Sequence, residues 1–98
     1  MSEHVQFEWD RRKDAGNRAK HGVAFEDAAL VWSDPGHLIR FDRVQESEER
    51  WHALGLAGGV VLLLVVHTYP DEDENAVRIV SARKATKRER EAYHSGAF

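Results

Sequence analysis

The feature that most constrains the fold is a run of seven consecutive apolar residues, Val60 to Val66. Successive side chains of a strand point to opposite faces, so a strand built from this run is apolar on both faces. Such a strand needs cover on both sides and belongs at the centre of a sheet. The preceding Ala57-Gly58-Gly59 is a hairpin signal. The sequence therefore predicts two antiparallel strands, Glu49 to Leu56 and Val60 to Tyr69.

Periodicity and cap signals predict the remaining elements. These are a strand over Val5 to Trp9, a helix from Asp10 to about Lys20, a helix over Phe25 to Trp32, a short strand over His37 to Phe41, a strand over Val77 to Ala82, and a helix from Thr86 to about Ser95. The predicted fold class is α+β, with one small antiparallel sheet, two N-terminal helices and a C-terminal helix, the helices packed mainly on one face. At 98 residues we expect a single domain, 1–98, with its core at about 5–95.

Composition narrows the class of protein. The chain has no cysteine, which excludes disulfides and thiolate metal sites and suits a reducing compartment. The longest apolar stretch, Leu54 to Val66, is interrupted by glycines and too short to cross a bilayer. The six histidines of the chain include no pair at the helical or strand spacing of metal ligands. We therefore expect a soluble, cytoplasmic protein with no metal ion and no cofactor.

Cations are concentrated in one segment although the net charge is −3. Residues 78–90 contain six of the fourteen lysines and arginines. Their pattern predicts a buried strand followed by a helix that begins with the capping box Thr86-x-x-Glu89. A cationic strand end on an acidic chain indicates an anionic partner, with RNA as the leading candidate. Acids collect elsewhere, around Glu46 to Glu49 and in the turn Asp71 to Glu74, where they would hinder RNA.

Arg78 and Arg83 are the strongest candidates for binding phosphate, because a planar guanidinium can bind an oxyanion in a bidentate manner. Arg78 interrupts an apolar run, and its alternative role is a buried ion pair with Glu49 or another acid. Lys84 adjoins Arg83 at the strand end. The next three cations, Lys87, Arg88 and Arg90, could instead form a solvated helix face.

The first predicted helix carries a polar stripe at the spacing that usually faces a core. Its members are Lys13, Asn17, Lys20 and His21. These side chains could line a phosphate-binding edge. Alternatively, the helix buries Ala15, Ala19 and Val23, and its last cations only complement the helix dipole.

A second cluster, Glu49-Arg50-Trp51-His52, combines a carboxylate, a guanidinium and an imidazole. Alternation places Arg50 and His52 on one face and Glu49 and Trp51 on the other. The alternative is a solvated edge strand with a cross-strand ion pair. His67, at the exit of the central strand, is a further candidate that could equally be structural. This inventory suits metal-free RNA cleavage, in which the ribose 2′-OH is the nucleophile.

Several blocks together resemble the BrnT toxins of bacterial type II toxin–antitoxin systems. The blocks are Phe7-x-Trp9-Asp10, Lys13-x-x-x-Asn17-x-x-Lys20-His21-Gly22-Val23, Phe25-Glu26-x-Ala28, Glu49-x-Trp51 and Arg78-Ile79-x-Ser81-Ala82-Arg83-x-Ala85-x-x-x-Glu89. The resemblance covers about Phe7 to Tyr93. It implies a RelE-like fold and a ribonuclease that inhibits translation. It also implies a BrnA-type ribbon-helix-helix antitoxin, which forms a hetero-oligomer with the toxin on operator DNA.

The resulting hypothesis is a metal-independent endoribonuclease toxin. The predicted catalytic residues are Lys20, His21, Glu49, Arg50, His67, Arg78 and Arg83, and the predicted RNA-binding residues are Lys13, Asn17, Trp51, His52, Lys84 and Lys87. Glu49 or His67 is the candidate base, and His21 or His52 the candidate acid. The alternatives are a non-catalytic module whose basic edge docks an antitoxin or nucleic acid, and a toxin that has lost its activity.

Overall fold

The strands form a single sheet in the order β1-β5-β4-β3-β2. The computed structural model describes residues 4–98, so residues 1–3 of the predicted domain lie outside it. In chain order the elements are β1 (Gln6–Glu8), α1 (Arg11–His21), α2 (Phe25–Ala28), a 3₁₀ helix (Ala29–Ser33), β2 (Leu38–Gln45), β3 (Glu48–Ala57), β4 (Val61–Thr68), β5 (Ala76–Lys84) and α3 (Lys87–Ser95). The mixed α+β class and the central position of the apolar strand β4 are as predicted.

One strand departs from the predicted antiparallel sheet. Strands β2 to β5 pair with one another in antiparallel fashion. Strand β1 runs parallel to β5, with Phe7 opposite Val77. The alternation of Val5 to Trp9 indicates a half-buried strand and contains no information on its direction. The chain leaves β1 through the helices and three further strands before β5 returns beside it, which is a crossover connection.

Helical segments lie on both faces of the sheet but mainly on one of them, as predicted. We call the side under α1, α2 and the 3₁₀ helix the back face; its core includes Phe25, Val31 and Val65. We call the other side the front face. It carries Leu54 and Leu64, which pack with Tyr93 and Phe98 at α3. Helix α3 covers one end of the front face and leaves the other end open.

The second predicted helix is shorter than expected. A single α-turn over Phe25–Ala28 continues as a 3₁₀ helix that ends at Ser33. Asp34 then secures this segment, because its Oδ2 accepts hydrogen bonds from the Leu56 N–H (2.8 Å) and the Tyr93 hydroxyl (2.7 Å). Burial opposes ionisation of Asp34, but these bonds keep its pKa below the usual value.

Strand β2 is longer than the predicted His37 to Phe41. It extends to Gln45 and pairs with β3 through a tight turn at Glu46 and Ser47, which have φ angles of 54° and 64°. Left-handed turn positions usually carry Gly or Asn. The glutamate and serine here give no such signal, so the predicted strand ends four residues too early.

Asn17 attaches α1 to the sheet. Its Nδ2 donates to the carbonyl oxygens of Val23 and Ala82, both at 2.8 Å, and its Oδ1 accepts from the Ala82 N–H at 3.0 Å. The amide thus occupies the edge of β5 beyond the end of β1, much as a neighbouring strand would. Asn17 is buried, whereas Ala15 and Ala19 are exposed. The alternative prediction, in which Ala15, Ala19 and Val23 are buried, is therefore wrong for the two alanines and correct for Val23.

We predict that Asn17→Ala lowers the free energy of unfolding by about 3 kcal/mol or more. The change leaves three buried backbone groups without partners, and each such group costs about 1–3 kcal/mol. Urea denaturation followed by circular dichroism measures the loss. The exposed neighbour Lys20→Ala serves as the control and should change stability by less than about 0.5 kcal/mol. Equal stability of the two variants would contradict this role for Asn17.

Candidate active site

Four of the predicted site residues project from the front face of the sheet. Directly opposed residues on neighbouring strands point to the same face. Arg78 is opposite Thr68, Arg83 is opposite the front-face Leu64, and His52 is opposite Val66. Arg50 lies two residues before His52 on β3 and shares its face. The fold therefore brings Arg50, His52, Arg78 and Arg83 together on one surface, as the alternation of the β3 pair predicted.

His52 lies at the centre of a polar cluster. Its Nδ1 accepts a hydrogen bond from Arg40 Nε at 3.3 Å, and its Nε2 is 3.4 Å from Asp42 Oδ2. The imidazole also stacks on Phe98, over which the Arg40 guanidinium lies at 4.1 Å. Burial lowers the pKa of His52, and the carboxylate of Asp42 only partly opposes this. The ring is therefore mainly neutral near pH 7.

Arg83 forms a two-pronged ion pair with α3. Its Nη1 and Nη2 donate to Glu89 Oε1 and Oε2 at 2.8 and 2.9 Å. The guanidinium lowers the pKa of Glu89 to about 2. Glu89 also completes the predicted capping box by accepting from the Thr86 N–H. Arg83 thus joins the end of β5 to the first turn of α3, in addition to contributing positive charge to the front face.

Arg78 is exposed, so the alternative in which it forms a buried ion pair is wrong. Its side chain points to the open end of the front face. There its Nε donates a hydrogen bond to Glu8 at 2.8 Å, and its Nη1 is 3.8 Å from Glu48. Its acidic partners are these two residues and not Glu49. The hydrogen bond that Arg78 donates to Glu8 is the main reason that the pKa of Arg78 is raised.

Arg50 is the least satisfied cation of the cluster. Its side chain is 13% exposed, and its ion pair with Glu46 is long, at 3.8 Å. Within residues 4–98, the buried Nε of Arg50 and the buried Oγ1 of Thr68 have no hydrogen-bond partner. Buried donors are seldom left unpaired in proteins. Arg50 can therefore accept an anionic oxygen without first losing a strong protein partner.

His67 is separated from this cluster. It is fully buried on the back face, where Trp32 contacts its ring edge-on and its Nε2 is 3.1 Å from the Tyr69 hydroxyl. Burial lowers the pKa of His67 to about 4. A fully enclosed imidazole cannot reach a substrate, so the geometry argues against His67 as a base. Glu49 and Trp51 also point away from the front face.

The cations of α1 lie alongside the β5 edge. Lys13 and Lys20 are exposed and His21 is half-buried. In the described part of the chain, none of these three forms an ion pair with the front-face cluster. The polar stripe is divided further by Asn17, whose buried amide holds α1 in place and is not available to RNA. Lys84 and Lys87 are both exposed, at the end of β5 and the start of α3.

Sequence reasoning missed Arg40 and Asp42. Both lie on β2, and Asp42 is the extra residue where the β2–β3 register shifts between Phe41 and Arg43. The predicted strand His37 to Phe41 contained Arg40 but not Asp42, and its pairing with β3 was not predicted. Recognition of Glu46-Ser47 as a two-residue turn would have extended β2 to Gln45, but Arg40 lies opposite His52 only because of the bulge at Asp42.

The described residues contain no group of three or more His, Cys, Asp or Glu side chains able to hold a metal ion. Among residues 4–98, no helix is long and apolar enough to cross a membrane.

Comparisons with known proteins identify one family and one solved structure of similar fold. A family model described as the ribonuclease toxin BrnT of type II toxin–antitoxin systems matches residues 9–89, which include all four front-face residues. The fold is similar to that in the crystal structure of the Brucella abortus ribonuclease toxin BrnT, with a TM-score of 0.59 and 24% identity over 85% of this chain and 99% of that one. No curated protein sequence matches the chain.

We predict that His67 makes stability depend on pH. Because its folded pKa of about 4 lies below the ordinary 6.5, its contribution is complete above pH 6.5 and is lost as the pH falls towards 4. The His67→Gln protein should lose most of this slope, with a smaller part remaining from His52. The midpoint of urea denaturation, determined at several pH values between 7 and 4, measures this pH dependence. The exposed His94→Gln variant is the control. An unchanged slope in His67→Gln would contradict the assignment.

Proposed function

Because the chain belongs to the BrnT family of ribonuclease toxins from type II toxin–antitoxin systems, we propose that it cleaves RNA without a metal ion and thereby blocks translation. The observation that carries this proposal is the convergence of Arg50, Arg78 and Arg83 around His52 on one open sheet face. Three guanidinium groups form a surface suited to the phosphates of a single strand.

Internal transfer is the cleavage reaction that this inventory supports. The ribose 2′-oxygen attacks the adjacent phosphorus while a base takes its proton. The new O–P bond forms as the P–O5′ bond breaks, and the 5′-oxygen takes a proton from solvent. The products are a 2′,3′-cyclic phosphate and a 5′-hydroxyl. The protein must supply a base and positive charge for the developing phosphorane.

His52 is the proposed base. A neutral imidazole can accept a proton, and the lowered pKa of His52 keeps this form populated near pH 7. Its Nδ1 is held only by the long contact to Arg40, which RNA can displace. Asp42, beside Nε2, would stabilise the imidazolium that forms. In this proposal His52 replaces Glu49 and His67 as the base, and Lys20 and His21 are left as contacts for flanking RNA.

Arg50 is the proposed anchor for the scissile phosphate. Its ion pair with Glu46 is long, at 3.8 Å, so the guanidinium can bind an oxyanion without the loss of a short ion pair. Arg78 and Arg83 add charge on either side. Each already bonds to a carboxylate, Glu8 and Glu89 respectively, which limits their contribution until RNA competes for them.

The remaining proposals follow from family membership. We propose that residues 1–98 form one toxin domain with a RelE-like fold that acts in the cytoplasm. A BrnA-type ribbon-helix-helix antitoxin would neutralise it, and the hetero-oligomer would bind operator DNA. The competing candidate is a non-catalytic module whose basic surface binds RNA without cutting it. The carboxylate partners of Arg78 and Arg83 favour that reading, since they reduce the charge available for catalysis.

We predict that His52→Asn and Arg50→Gln each reduce RNA cleavage by about 10²–10⁴-fold, the usual contribution of one acid–base or electrostatic group. The assay is cleavage of a defined RNA in EDTA, with the 2′,3′-cyclic phosphate identified at the new end. In the wild type, the rate should rise with pH through the lowered pKa of His52 and level off near pH 7. Exposed Arg88→Gln is the control. Wild-type activity in both variants would exclude this site.

We predict a further distinction between two variants that break the same ion pair. Arg83→Ala removes a cation from the site and should lose most activity, whereas Glu89→Gln leaves the guanidinium in place and should retain activity. Both variants weaken the attachment of α3, so thermal unfolding shows whether they are destabilised alike. Equal loss of cleavage in both would assign Arg83 a structural role only. Intact RNA bound with salt-sensitive affinity by the wild type would support the non-catalytic module.

A further inference from the structure

The back face carries a continuous row of aromatic rings that runs from the core to the surface. The row comprises Phe7, Trp32, His67, Tyr69, Trp51 and Phe41, and the centroids of successive rings are 4.8 to 5.6 Å apart in edge-on contacts. His67 is fully buried, Trp51 is half-buried, and Phe41 is 48% exposed. The aromatic packing of the core therefore continues beyond the segments that cover it.

The back face is bare over β2. The 3₁₀ helix packs against β3, and within residues 4–98 no helix makes an extensive contact with β2. Ile39, Phe41 and Val44 are opposite Ala53, Trp51 and Glu49, so all three point to the back face. They are 38%, 48% and 61% exposed. An exposed apolar stripe beside an incomplete helical layer indicates a surface that another molecule completes.

An acidic groove adjoins this stripe. It has a volume of about 850 Å³ and shares Trp51 and Tyr69 with the aromatic row. The residues that line it are Glu46, Ser47, Glu48, Glu49, Trp51, Tyr69, Pro70, Glu72 and Glu74. Two of the five glutamates have basic neighbours, both at 3.8 Å. The groove would repel RNA and attract a cationic partner. Trp51, predicted to bind RNA, therefore lies in the acidic region.

We propose that this surface, formed by the β2 stripe and the acidic groove, binds a basic amphipathic helix of the antitoxin. The inference rests on the antitoxin of the proposed function and deepens it by assigning the docking surface and the chemistry of the docked segment. Apolar residues of that helix cover Phe41 and Trp51. Its lysines or arginines face the glutamates and can lie over the Trp51 and Tyr69 rings.

A helix suits this surface better than an added strand. The edge of β2 is interrupted where the register shifts between Phe41 and Arg43, and an interrupted edge is a poor template for pairing. The apolar side chains also lie on the face of the sheet and not along its edge. A helix placed there continues the layer that α2 and the 3₁₀ helix begin.

The test compares two triple variants that make the same chemical changes at different places. The first, Phe41→Ser with Glu72→Lys and Glu74→Lys, alters the proposed surface. The control, Val60→Ser with Glu26→Lys and Glu91→Lys, alters exposed residues elsewhere. The probe is the antitoxin encoded with this chain, purified after co-expression, and calorimetry measures its Kd at two salt concentrations. Circular dichroism verifies that both variants fold.

We expect the first variant to weaken antitoxin binding by at least about 30-fold, as expected for the loss of a hot spot, and the control to bind like the wild type. Unchanged binding by the first variant, or equal weakening in both, would overturn the proposal. Loss of self-association in the first variant alone would assign the surface to a second copy and also overturn it. If the wild type binds no antitoxin, this inference fails with the antitoxin part of the proposed function, while RNA cleavage is still measured separately.

Discussion

The fold depends on the need to cover β4 on both faces. A strand that is apolar on each side loses stability wherever either side meets water, at about 25 cal/mol per Å² of exposed apolar surface. The back face is covered by α2 and the 3₁₀ helix, with Phe25 and Val31 in the core. The front face is covered only at one end, by α3. Because α3 is short, the other end of the front face remains available for the arginines and His52.

The front face is also where folding and chemistry compete for the same charges. Arg83 holds α3 through Glu89, and Arg78 bonds to Glu8 on the neighbouring strand. Among these three arginines, Arg50 alone is both buried and weakly paired, which is the state expected of a side chain that binds a ligand. The net charge of −3 conceals this arrangement, in which the acidic groove adjoins the arginines through Glu46 and Glu48, 3.8 Å from Arg50 and Arg78 respectively.

Much of this could be predicted from local pattern, and the failures have physical causes. Alternation along β3 correctly placed Arg50 with His52, and the capping box correctly placed the start of α3, because both depend on residues close in sequence. Asn17 was misread because its partner, Ala82, is 65 positions away. The Asp42 contact with His52 depends on a bulge in β2, and such irregularities have no simple signature in one sequence.

The amide of Asn17 has a consequence for how the protein behaves at high concentration. Unpaired strand edges are the sites at which sheets of different molecules join and aggregate. Beyond the end of β1, Asn17 occupies the backbone groups of Ala82, so this length of β5 cannot recruit a strand from another molecule. The opposite edge, β2, has only its irregular register to prevent such pairing. On the Asn17 side the free edge is therefore limited to the 3 residues of β1, whereas β2 offers an edge of 8 residues, and the two ends of the sheet are not equally exposed to aggregation.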